Sequence, residues 1–271
     1  MLEIKKEVKI TDIKDKTEYI GEIVFNNIPL MNSIIKLIDN LTIKEPIIKF
    51  DADGLTTSVY DGTIFYEIKI NKKFFSKYDI SDVFEICVKR KLLTELFKKI
   101  PLKNSEVTFR VTKNIDLLRI IIKEKKLKKY DLRLLEFKSD KIQSIDSIDK
   151  YKDSKITIDV DEFIDMIESV HFAESKILLK CSEFNFDVKD FDNINGSSLI
   201  RFMRGEKLQI ESKKGEIIEG YYNKRLLMQL LPSIKDITEK IIITYSTQSP
   251  IKIYFNYKNV ELKYFLAPME N

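Results

Sequence analysis

Two stretches of this chain carry the same apolar stripe. In residues 89–100 the apolar positions are Leu92, Leu93, Leu96, Phe97 and Ile100. In residues 224–234 they are Leu226, Leu227, Leu230, Leu231 and Ile234, identically spaced and 134 positions later. That spacing lines one face of an α-helix. The segments after the two stripes repeat too, with strand-like runs at 107–111 and 241–245, then at 117–122 and 251–256. A duplication of this length narrows the possible folds sharply, because each copy must bury its own stripe against something.

Further elements open each half. A helix is predicted at 29–39, with stripe Leu30, Met31, Ile34, Ile35 and Ile38, and another at 161–170, with stripe Phe163, Ile164, Ile167 and Val170. Strand-like runs come next at 47–50, 55–60 and 63–70 in the first half, and at 177–181, 183–188 and 197–203 in the second. Each half thus reads strand, helix, several strands, helix, several strands. This order points to an α+β fold of two similar domains, each with antiparallel sheets covered by two helices. The expected boundaries are an N-terminal extension at 1–19, a first domain at 20–135, a connector at 136–154 and a second domain at 155–271. The connector is rich in Lys, Asp and Ser, a composition suited to crossing a surface.

The chemistry on offer is sparse. His171, the one histidine, closes an apolar helical stripe, where a structural imidazole is expected rather than a general base. Cys87 and Cys181 are far apart, each in an apolar run, and fit buried thiols of an intracellular protein. Asp51-Ala52-Asp53-Gly54 lacks the spacing of a calcium loop and reads as a tight turn. Seven glycines form neither a phosphate-binding loop nor a dinucleotide fingerprint. No enzyme, no metal and no cofactor is expected. With Lys+Arg 47 against Asp+Glu 43, nucleic-acid binding must come from how charge is distributed. The polar faces of the paired helices carry Lys89, Arg90, Lys91, Lys98 and Lys99 in the first and Lys224, Arg225 and Lys235 in the second, with Lys36 on the opening helix. Taken alone they are either solvated faces or phosphate-facing ones.

Three motifs carry a family resemblance. The run Glu261-Leu262-Lys263-Tyr264-Phe265-Leu266-Ala267-Pro268 resembles the characteristic ending of the proliferating cell nuclear antigen family of DNA sliding clamps, with Phe265 in place of a tyrosine. Phe50 to Leu55, then Tyr60-Asp61, is similar to the family's first-domain strand, turn and strand, with Tyr60 in place of methionine. Tyr130-Asp131-Leu132-Arg133-Leu134 resembles the strand leading into its connector. The likeness runs from about Gly21 to Pro268.

The resemblance implies a non-enzymatic processivity factor for replication and repair. Its fold has sheets outside and helices lining a trimeric ring of self or paralogous subunits around duplex DNA, read without regard to sequence. These nine basic residues would then face DNA. Tyr60, Ile64, Phe65, Ile142, Ile145, Phe265, Leu266, Ala267 and Pro268 would form the pocket for a short peptide motif of DNA polymerase, flap endonuclease or DNA ligase, and a clamp loader would be a further partner. Edge strands at 126–134 and 197–203 would join subunits through Tyr130, Leu132, Leu199, Ile200 and Phe202. Location depends on source: the nucleus in a eukaryote, the cytoplasm or a viral factory otherwise. Asp161, Glu162, Asp165 and Glu168 make the third helix acidic where the family is usually basic. That departure is compatible with a specialised clamp or one subunit of a hetero-ring; the alternative function is a specialised clamp-fold scaffold, either a checkpoint-type clamp or a viral transcription or replication accessory factor.

Overall fold

The computed structural model describes residues 17–41, 45–103, 105–137, 150, 152–172, 175–192, 194–212 and 214–270. In chain order the first half runs β1 (Tyr19–Phe25), α1 (Ile28–Leu41), β2 (Ile47–Asp51), β3 (Gly54–Tyr60), β4 (Ile64–Asn71), β5 (Lys77–Ile80), β6 (Phe84–Cys87), α2 (Arg90–Phe97), β7 (Glu106–Thr112), β8 (Leu117–Lys123) and β9 (Leu127–Arg133). The second runs β10 (Ser154–Asp159), α3 (Val160–Ser169), β11 (Lys176–Cys181), β12 (Asn185–Asp192), β13 (Gly196–Met203), β14 (Leu208–Ser212), β15 (Ile218–Asn223), α4 (Lys224–Lys235), β16 (Lys240–Tyr245), β17 (Ile251–Tyr257) and β18 (Val260–Leu266). The order of elements is the same in both halves.

Sheet connectivity repeats as well, and every pairing is antiparallel. The first half forms one sheet in the order β5-β1-β7-β8-β9 and contributes the set β4-β3-β2-β6. The second half repeats both, as β14-β10-β16-β17-β18 and β13-β12-β11-β15. β18 pairs with β4 over seven residues, from Val260 opposite Ile70 to Leu266 opposite Ile64, and fuses one set from each half into a nine-stranded sheet. The equivalent strands β9 and β13 end their sheets, with no partner on the outer side among the described residues.

Local sequence explains the elements. Along β4 and β18 the side chains alternate, so that Ile64, Tyr66, Ile68 and Ile70 join Leu262, Tyr264 and Leu266 in the core. Helix α1 is capped by Asn27, whose Oδ1 accepts from Leu30 N at 3.3 Å, and α4 by Asn223, whose Oδ1 accepts from Leu226 N at 3.2 Å. Asp161 and Glu162 occupy the first turn of α3, where carboxylates favour the positive end of the helix dipole. The expected turn at Asp51 to Gly54 is present: Asp51 Oδ1 accepts from Asp53 N at 3.0 Å, and Gly54 has φ of +143°.

Several expectations need correction. Leu92 faces solvent, 46% exposed, because α2 turns Leu93, Leu96 and Phe97 inward instead. His171, expected as a structural imidazole, lies exposed past the end of α3, with Nδ1 3.1 Å from Ser169 O and its ring stacked on Phe172. The stretch read as connector ends in a core residue: Ser154 begins β10, is fully buried and donates from Oγ to Tyr245 O at 2.8 Å. Tyr19, assigned to the extension, begins β1. The repeat also slips by one position at β8. Phe109 opposite Ile120 matches Ile243 opposite Ile253, so the β7-β8 turn is one residue longer than its counterpart.

Candidate DNA-facing and partner-binding surfaces

The helices pack side by side in the order α2, α1, α4, α3, so one layer crosses both halves. A basic residue spans each seam. Between α2 and α1, Arg90 Nη1 donates to Asp39 O at 2.9 Å and Nε lies 3.2 Å from Asp39 Oδ1. Between α1 and α4, Lys36 Nζ meets Asp236 Oδ2 at 2.7 Å, beside a 2.7 Å hydrogen bond from Asn40 Nδ2 to Ser233 Oγ. From α4 towards α3, Lys235 Nζ lies 2.5 Å from Asp161 Oδ1, and Lys224 Nζ donates to Val170 O just beyond the end of α3. The hydrogen bond to Asp161 is the main reason the Lys235 ammonium titrates above its ordinary value.

The nine basic candidates therefore divide. Arg90, Lys36, Lys224 and Lys235 are engaged in stitching helix to helix. Lys89, Lys91, Lys98, Lys99 and Arg225 are exposed and make no ion pair or side-chain hydrogen bond among the described residues. Four of those five belong to α2 and its flanks. At the other end of the layer, α3 presents Asp165 and Glu168 to solvent, while Asp161 is paired with Lys235 and Glu162 with Lys207. The layer is thus positive at α2 and negative at α3. A cleft of about 320 Å³ between α1 and α2 includes Ser33, Lys36, Thr94, Lys98 and Asp236.

On the sheets, the structure brings most of the expected pocket residues together where β4 meets β18, and sorts them by face. Ile64 and Leu266 sit opposite each other and point into the core. Phe65 and Phe265 are also opposite each other but lie on the other face, apart from the main core cluster and still buried at 3% exposure each, with ring centroids 5.9 Å apart at 61°. Lys252 Nζ lies over the Phe265 ring at 5.7 Å. Tyr60 is 52% exposed at the end of β3. The turn between them is fixed by Asp61, whose Oδ1 accepts from Thr63 N and Ile64 N at 2.9 and 2.8 Å. Ala267 N donates to Thr63 O at 2.9 Å, so Ala267 and Pro268, both half-buried, extend the ladder past its end. Ile142 and Ile145 lie outside the described residues.

The residues expected at subunit edges fall on β9 and β13. Tyr130 and Leu199 are exposed, whereas Leu132, Ile200 and Phe202 are half-buried against the core. Sequence inspection missed a neighbouring ion pair on β12 and β13: Asp187, 2% exposed, accepts from Arg201 Nε at 2.9 Å and from Nη2 at 2.8 Å. Opposite charges facing each other in a strand pair would have been the signal.

No protein-family model matches the sequence, and no curated protein matches it. Among solved structures, the chain is similar to the proliferating cellular nuclear antigen of Entamoeba histolytica, with a TM-score of 0.82 and 16% sequence identity over 93% of this chain and 100% of that one. Together with the doubled strand order, this establishes that the chain has the two-domain sliding clamp fold.

Proposed function

We propose that this chain is a subunit of a DNA sliding clamp: a ring that holds duplex DNA by enclosing it and tethers replication and repair enzymes at its surface. The observation that carries this reading is the relation between the closed joint and the open edges. β18 pairs with β4 inside the chain, and their topological equivalents β9 and β13 stand at open edges among the described residues. A strand pairing used once within a chain can be used again between chains, which continues the sheet and removes exposed edges. Repetition of the joint around three two-domain subunits closes a ring, with the helix layer towards the hole. Lys91, Lys98, Lys99 and Arg225 then meet phosphates without reading bases.

The end of the β4-β18 joint suits a peptide with aromatic anchors, because the exposed Tyr60 stands there beside the half-buried Ala267-Pro268 tail, over a floor that the buried Phe65 and Phe265 support. Polymerase, flap endonuclease and ligase motifs are the partners this surface would take, with a clamp loader opening the ring. Tethering raises their local concentration on DNA without any new chemistry. The acidic face of α3 favours a second reading, a specialised clamp-fold scaffold that does not act as an autonomous replicative ring.

Topology supplies the test. The complex that this chain forms in its own cells is purified and mixed with linear duplex DNA whose ends are then either blocked or left free. A ring threaded over the ends stays on the blocked duplex through a high-salt wash and is lost from the open one. Equal loss from both overturns the proposal.

A further inference from the structure

The internal joint shows what two edges of this fold need in order to pair. On its outward face Lys263 lies opposite Glu67 and Glu261 opposite Lys69, so positive meets negative twice. Lys263 Nζ is 3.7 Å from Glu67 Oε1. On its inward face Leu262 meets Ile68 and Tyr264 meets Tyr66, all fully or almost fully buried. Opposite charges and matched apolar pairs stabilise adjacent strands, and like charges work against them.

The ladders transfer that register to the open edges. Tyr130 pairs with Ile120 as Tyr264 pairs with Ile253, so Tyr130 stands where Tyr264 stands. Val188 pairs with Ile200 as Thr57 pairs with Ile68, so Ile200 takes the place of Ile68. In a joint between two copies, Lys129 would then face Leu199, Leu127 would face Arg201, Lys128 would face Ile200 and Lys126 would face Phe202. Both carboxylates of the internal joint are gone, and nothing on the opposing strand replaces them. From Gly196 to Gly205 the β13 edge has Arg201 and Arg204 and no acid. Lys128 is already held by Glu124 at 3.2 Å. Lys126 and Lys129 are exposed and have no ion pair among the described residues.

Resting on the clamp reading, we propose that β9 takes its neighbour from a different clamp-fold chain. That partner's edge strand carries carboxylates opposite Lys129 and beside Lys126, and this chain is one member of a mixed ring. In a joint between two copies, Lys129 and Lys126 would be set against Leu199 and Phe202, which offer no counter-charge, while Arg201 is already paired with Asp187. Lysines on an open edge also discourage pairing with the wrong strand. The same residues that accept an acidic partner therefore refuse a second copy.

The test compares the purified full-length chain with Lys126→Glu/Lys129→Glu, a double variant at two exposed positions. Sedimentation at micromolar concentration is expected to show the wild-type chain as a monomer. The variant, which removes both uncompensated cations and sets a carboxylate at 129 diagonal to the half-exposed Arg201, is expected to self-associate with a dissociation constant roughly fivefold or more lower, and to gain hydrogen-exchange protection at β9 and β13 amides. A wild-type homotrimer overturns the inference, even if it threads onto DNA and so upholds the clamp reading. Unchanged self-association in the variant also overturns it. Failure of the DNA-threading test, with the variant self-associating, counts against the clamp reading and leaves the edge preference standing.

Discussion

Phe65 and Phe265 face each other across the joint between the two halves, with ring centroids 5.9 Å apart, on the face of the sheet opposite the core. Their immediate neighbours Ile64 and Leu266 are paired just as directly but point inward. One position along a strand therefore decides which face of the sheet a side chain packs on, and Phe65 and Phe265, each 3% exposed, are buried on theirs as well.

That separation can be measured. Ile64→Ala removes a core side chain and is expected to cost about 2–5 kcal/mol in denaturant unfolding. Any loss of peptide affinity it causes then reflects loss of fold. Tyr60→Ala, at an exposed site, should change stability by only about 0.5 kcal/mol while weakening the binding of a fluorescent polymerase-type peptide. Unchanged affinity removes Tyr60 from the pocket.

The basic residues of the helix layer should differ in kind. Lys91→Ala, Lys98→Ala and Lys99→Ala are each expected to flatten the dependence of DNA affinity on salt by roughly 0.9 in the logarithmic slope. Lys36→Ala and Lys235→Ala should leave that slope nearly unchanged, since Asp236 and Asp161 already neutralise them. Anisotropy titrations of labelled duplex at several salt concentrations distinguish the two sets.

Alkaline stability is set by buried phenols. Burial is the main cause holding the hydroxyls of Tyr222, Tyr245 and Tyr264 above their ordinary ionisation range. The folded chain thus keeps protons that the unfolded chain releases. Their stabilising contribution is complete below about pH 10 and falls as pH rises past it. The chain has no tryptophan, so phenolate absorbance should report unfolding and ionisation together in that range. Stability that does not fall above pH 10 would contradict this account.

Gly54 tests the turn between β2 and β3. A Cβ there would stand 2.0 Å from Ile70 O, and the backbone has φ of +143°. Gly54→Ala is expected to cost at least about 1–3 kcal/mol in thermal or denaturant unfolding, with the local damage centred on β3 and β4.

What the sequence disclosed was whatever had a period. The four helices and the longer strands could be read because their apolar residues recur at helical or alternating spacing. β5, β6, β14 and β15, at four to six residues each, are too short for alternation to stand out from their surroundings. The misplacement of Leu92 has a similar cause: two adjacent leucines fit the stripe equally well, and packing of α2 decides between them. The seams of the helix layer were invisible because Lys36 and Asp236 lie 200 positions apart. The one-residue slip at β8 was hidden by the extra turn residue, since the run at 117–122 is apolar at every position but Arg119 and fits either register.

The fusion of β4 with β18 bears on how the chain comes into being. On a ribosome, β4 emerges roughly 200 residues before the strand that will cover it, and until then it offers bare amides and carbonyls to any passing strand. Pairings so distant in sequence form slowly, and partly built sheets of this kind are prone to stray association. Glu67 and Lys69, which later match Lys263 and Glu261, meanwhile give the waiting edge a charged fringe that keeps it in solution.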